Sequence, residues 1–386
     1  MSLEENVMKI ILERVAKEAA EKQLDEEQVN KLIKAAVKAV TTDGLDDLSG
    51  FMASKLQQQI PEMIANERTL QEGFEQRLYD RWKKALDLYE AIVILTRECG
   101  DAYAKQHRVQ AAKDNDHVFA MLMRIHVKAC QTASAIEVLL KSGYARDALA
   151  RHRTLHELAA TALFIKKYGQ ETAERYWLHN VIESYKAAMH YEQYSQRLGH
   201  EPHDPVELDK LRSQKDALIK RFGAVFNEDY GWAAQALGRL RGVRFADIEK
   251  DVQLDHLRPY YKLASHGVHA NSKGLFFDIG NIGRGMPSYK SQMLAGASNA
   301  GLADPGQLAL ISLNICTATF LTYKNDLETL MKLKVLDSFV KEALQAFIEI
   351  HRNLEREEAQ AAGRKGGLRR KQPGIPDLKA GQRSSP

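Results

Sequence analysis

The chain has 386 residues, 44% of them hydrophobic and 27% charged, with a formal net charge of +4. That length buries a large core in one domain or two, and the near balance of charge excludes a globally basic nucleic-acid binder, so any such surface has to be local. The three dispersed cysteines, Cys99, Cys130 and Cys316, offer neither a disulfide framework nor a zinc spacing and fit a reducing compartment.

The first residues mix acids and bases without an uninterrupted apolar run, which does not describe a signal peptide. No stretch of eighteen apolar residues occurs, so no membrane contact and a cytoplasmic location are expected. Residues 4–40 read as two amphipathic helices, the second opening on Asp25, Glu26 and Glu27, acids suited to a helix N-terminus. Thr41-Thr42-Asp43-Gly44 reads as a turn. A third helix over about 46–66 is expected to be interrupted at Pro61. Residues 1–66 therefore read as a separate helical module, either a solvated hairpin or the docking element for a protein partner.

Residues 68–105 form the next expected helix, with Phe74, Tyr79, Trp82 and Tyr89 at core spacing. Asp114–Ser142 follows, with Phe119, Leu122, Ile125 and Ile136 along it. Ser142–Gly169 is the stretch around which the rest is organised, a long helix ended by Gly169. Helices over 171–198, 206–222, about 245–251 and 254–264 complete the middle of the chain, with Asn227–Gly242, which carries Tyr230 and Trp232, among them. Residues 271–305 carry glycines and prolines at close intervals and read as an irregular, functional or mobile segment. A strongly apolar helix over 307–333 and a last one from 336 to about 359 close the main domain, 68–359. The tail, 361–386, holds seven Lys/Arg and one acid among Gly, Pro and Ser, and is expected to be disordered. Strand signals are nearly absent, so the fold class is all-α, a multi-helix bundle.

The chemistry concentrates in the organising helix, where Arg151, His152, Arg153, His156 and Glu157 interrupt an Ala-rich apolar pattern. Burying charge is costly unless it is paired. Arg153 and Glu157 are four apart and face each other on a helix, as do His152 and His156. A second cluster runs from Tyr260 to Asn271, with Ser265, His266 and His269 at the edge of the glycine-rich segment. Three readings stay open. In the first, Arg153–Glu157 is a structural ion pair and His269 a satisfied histidine. In the second, His156 and His269 exchange protons near neutral pH while Arg153 and Glu157 organise the site and Arg151 holds a phosphate, which suffices for metal-independent transesterification through an RNA 2′-hydroxyl. In the third, His152, His156, Glu157 and a residue near 266–269 hold a metal, against the repulsion of Arg153. No cofactor-binding pattern is present: there is no GxxxxGK[ST] loop, GxSxG elbow or GxGxxG after a strand.

At these two clusters the sequence resembles a bacterial family of all-helical proteins of unknown function. The family pattern is Arg-Ser/Thr-Leu-x-Glu followed by Tyr…Ser…His. Here these are Arg153-Thr154-Leu155-His156-Glu157 and Tyr261…Ser265-His266-Gly267-Val268-His269, and the likeness covers roughly residues 80–350. Arg151-x(4)-His156 is also similar to the Arg-x(4–6)-His mark of HEPN domains, helical ribonucleases of toxin and phage-defence systems. That likeness implies RNA as a partner, catalysis across a homodimer and a defence or toxin setting. The opposing expectation is a non-enzymatic interaction or scaffold protein whose polar cluster is structural.

Overall fold

In the computed structural model the described residues are 3–41, 43–269, 272, 296–324 and 326–369. They are all-α: no strand occurs among them. The helices are α1 (Leu3–Lys22), α2 (Glu26–Thr41), α3 (Asp43–Lys113), α4 (His117–Lys141), α5 (Ala145–Tyr168), α6 (Gln170–Leu198), α7 (Pro205–Phe222), α8 (Phe245–Asp251), α9 (Arg258–Val268), α10 (Ala303–Leu321) and α11 (Leu327–Arg369). The chain separates into two compact units, Met1–Phe74 and Glu75–Pro386, and the division falls within α3.

In the first unit, α1 and α2 pack against each other and bury Ile11 and Val15. Asp25 caps α2, its carboxylate accepting from Gln28 N at 2.8 Å. α3 does not stop at Pro61, contrary to expectation. The proline removes one donor from the helix ladder, but this stretch is exposed, so the freed Gln57 carbonyl has water available. Leu45, Met52, Leu56, Ile60, Met63 and Leu70 of the same stretch are exposed too.

The second unit is built around α5, which packs against α4, α6, α8, α9 and α10. Alanines make this possible: Ala148, Ala159, Ala160 and Ala162 are buried, and short side chains let neighbouring helices approach from several sides. Gly143 and Gly169, both at positive φ, bound the helix where a side chain would strain the turn. Within this unit α3 buries Leu78, Trp82, Ala85, Leu86, Tyr89, Ile92 and Val93 at helical spacing. Tyr89 donates to Ala133 O at 3.1 Å and fastens α3 to α4. Gly100 has no alternative in α3, since a Cβ there would meet the His126 ring at 2.1 Å.

The single apolar helix expected over 307–333 is broken. α10 ends at Leu321 and α11 begins at Leu327. Tyr103 occupies the break: its hydroxyl accepts from Lys324 N at 2.7 Å and donates to Lys324 O at 3.2 Å. Lys166 donates to Thr322 O at 3.0 Å, satisfying an end carbonyl of α10. Asp326 accepts from Thr329 N at 2.7 Å, which starts α11. α11 continues to Arg369, taking up the first residues of the expected tail, while 370–386 lie outside the described residues. So does most of the glycine-rich segment, at 270–271 and 273–295.

Candidate functional site

The polar cluster forms where α8 and α9 cover one face of α5. α8 is short and sets Phe245, Ile248 and Glu249 inward. α9 starts with Pro259 in its first turn, where a missing N–H costs nothing, and turns Tyr261 and Ala264 towards α5.

Two layers result. The outer one joins Arg153, Glu157 and Tyr261. Arg153 Nε donates to Glu157 Oε1 at 3.2 Å, and the Tyr261 hydroxyl donates to the same oxygen at 2.6 Å. The Arg153 guanidinium lies over the Tyr261 ring at 4.8 Å and that of Arg258 at 5.9 Å, both cation–π contacts. Arg153 and Glu157 side chains keep 29% and 35% exposure. Burial, then the hydrogen bond to ionised Glu157, pushes the Tyr261 phenol well above its ordinary range, so it stays a donor.

The inner layer is buried. His156 Nε2 lies 2.8 Å from Glu249 Oε1, with the two side chains 1% and 0% exposed. A carboxylate only accepts, so the imidazole donates from Nε2. Glu249 Oε2 accepts from Arg258, which supplies the cation that a buried carboxylate requires. The Phe245 ring stands edge-on to His156 at 5.9 Å. One turn back, His152 Nε2 pairs with Ser312 Oγ of α10 at 3.0 Å. Burial pushes the His152 imidazole down to about 3, and the adjacent His156 acts in the same direction. The Nδ1 atoms of both histidines are buried without a partner.

Of the residues singled out from sequence, the structure brings Arg153, His156 and Glu157 together with Tyr261. It does not bring Arg151 or His269 into that group. Arg151 is exposed. His269 follows α9, exposed, eight residues beyond Tyr261 and so about 12 Å further along the axis. No three metal-ligand side chains gather among the described residues. Glu249, Arg258 and Ser312 escaped notice, since each reaches the cluster from another element. Glu249 did carry a signal: it lies four residues after Phe245 and so shares its inward face.

Residues 119–285 match the model of a family of unknown function, DUF5677. No curated protein and no solved structure matches the chain. The DUF5677 match runs from α4 through α9 and includes both polar layers except Ser312, while leaving out α1, α2 and α3. Both segments of the resemblance pattern fall inside it, and their Arg153, Glu157 and Tyr261 meet in space. No helix among the described residues is long and apolar enough to cross a membrane.

Proposed function

We propose that the chain is a non-enzymatic interaction protein, and that the polar cluster of the DUF5677 segment fixes α5, α8 and α9 to one another. The observation that carries this reading is the burial of His156 and Glu249 at 1% and 0% exposure, each already hydrogen-bonded. A general base has to reach the proton it takes, directly or through one water. His156 as placed has its donor nitrogen committed to Glu249 and its other nitrogen enclosed. The test is RNA cleavage by the full chain beside His156→Ala and His269→Ala, in EDTA. No turnover by any of the three equally folded proteins is expected. Cleavage that disappears in either variant overturns the reading and favours metal-independent RNA chemistry of the HEPN kind.

A second reading, RNA binding in a defence setting, draws on one observation. Arg153 and Arg258 flank Tyr261, each about a third exposed, with N–H groups beyond those used by Glu157 and Glu249. Arginine forks hold phosphates. Binding that weakens steeply with salt, and that Arg153→Gln and Arg258→Gln both reduce, is what this reading requires.

A further inference from the structure

Of the eight large apolar residues that α3 exposes between 45 and 70, five share one face, while Phe51 and Ile64 lie off it. Leu45, Met52, Leu56, Met63 and Leu70 follow one another at intervals of seven, four, seven and seven. At 100° per residue they fall within about 40° of arc, and the stripe runs for nearly 40 Å. Each is at least half exposed. Such spacing is the core seam of a two-helix coiled coil, with Leu56, Met63 and Leu70 at one core position and Leu45 and Met52 at the other. Ile60 widens the stripe on one side. α1 and α2 pack on each other and bury their own Ile11 and Val15.

We infer that residues 45–70 pair with the same stretch of a second copy of this chain, as an antiparallel coiled coil. The inference rests on the interaction-protein reading and names its partner. Charge selects the second copy and the direction. The seam's polar positions are Ser49, Gln59 and Asn66, and the flanking charges are Asp46, Lys55, Glu62 and Glu67. Antiparallel pairing sets Leu45 opposite Leu70 of the second copy and Met52 opposite its Met63. Ser49 then meets Asn66, polar against polar, and Leu56 meets Gln59. In this register Lys55 stands beside Glu62 of the other helix, twice by symmetry. Lys55 now lies 5.8 Å over Phe51, exposed and within reach. Parallel pairing instead sets Glu62 beside Glu67 twice and leaves Lys55 opposite Ile60. The antiparallel register has its adverse contacts too, each twice by symmetry: Asp46 near Glu67 at the outer ends, where water screens the charges most, and Gln59 against Leu56 in the seam.

The experiment is the molar mass of the full chain by sedimentation over a range of concentrations. A dimer is expected. Met63→Lys, an exposed change that leaves the helix intact, should raise its dissociation constant at least a hundredfold. Glu62→Lys and Lys55→Glu should each weaken the dimer about tenfold, because each converts two attractive flanking pairs into repulsive ones. An equimolar mixture of those two variants should recover wild-type affinity as a heterodimer. A monomer at every concentration, or a dimer indifferent to Met63→Lys, overturns the inference. A dimer strengthened by Glu62→Lys overturns the antiparallel direction. None of these results bears on RNA turnover, so the interaction-protein reading stands or falls separately.

Discussion

Replacing Arg258 by methionine tests whether the inner polar layer holds α8 and α9 in place. Methionine keeps most of the aliphatic stem over Tyr261 and removes the cation. Glu249 is then a carboxylate with no exposure and one remaining donor, His156 Nε2 at 2.8 Å. Removing one partner of a buried pair generally costs about 3–5 kcal/mol. Arg258 itself is a third exposed, so its charge is only partly desolvated and the pair is weaker than a fully buried one, and His156 still donates to Glu249. Both place the expected loss at the low end, about 3 kcal/mol. For a unit of this size that lowers the melting temperature by roughly 5 °C. The companion variant, Arg258→Met with Glu249→Gln, removes both charges and leaves an amide oxygen for His156. It should recover about 1–2 kcal/mol relative to Arg258→Met alone. Urea unfolding followed by near-UV circular dichroism measures both. Arg258→Met within 0.5 kcal/mol of wild type, or a double variant no more stable than the single one, would refute the claim that the buried pair carries structural energy.

Three further outcomes follow from the described helices. Burial holds the His152 imidazole down to about 3 and the His126 imidazole down to about 4. Both folded values lie below the ordinary value near 6.5, so the unfolded chain binds more protons in between. The stability this provides is full above about pH 6.5 and drains away as pH falls, for His126 towards 4 and for His152 towards 3, and His152→Gln should flatten that slope by up to one proton in chemical denaturation at stepped pH. Gly100→Ala should destabilise by about 1–3 kcal/mol, because the new methyl meets the His126 ring at 2.1 Å. Gly50→Ala, with nothing within 4 Å of its Cβ, should instead stabilise α3 by about 0.5–1 kcal/mol, and thermal melts of the two variants compare them directly.

Much of the fold was legible because helical spacing and glycine stops act locally. α5 needs only its Ala-rich pattern and the glycines at 143 and 169. The break between α10 and α11 was not, because the sequence there is apolar on both sides and the interruption depends on Tyr103, 221 residues away. Pro61 misled in the opposite sense: an exposed helix tolerates a missing donor that a buried one does not. In the site, Arg153–Glu157 could be read from spacing alone. The position of His156 could have been as well, since 148, 152, 155, 156 and 159 form one stripe and the other members are small, apolar or buried histidine. What spacing could not supply was its partner, because Glu249 is 93 residues further on and only tertiary packing makes them neighbours.

The central position of α5 has a consequence for how the second unit comes apart. A helix enclosed by five others has no way to open while they remain. Its amides should exchange with solvent only when the whole unit unfolds, and a protease should find no cleavable site between Ala145 and Tyr168 before then. α7 is the opposite case. It buries no residue, and side-chain contacts hold it to its neighbours: the Arg221–Glu174 pair, Arg212 and Lys215 on Tyr185, and Phe222 against Arg175 and Phe226, so it should open before α5 does. The chain thus carries its polar cluster on the segment last to loosen.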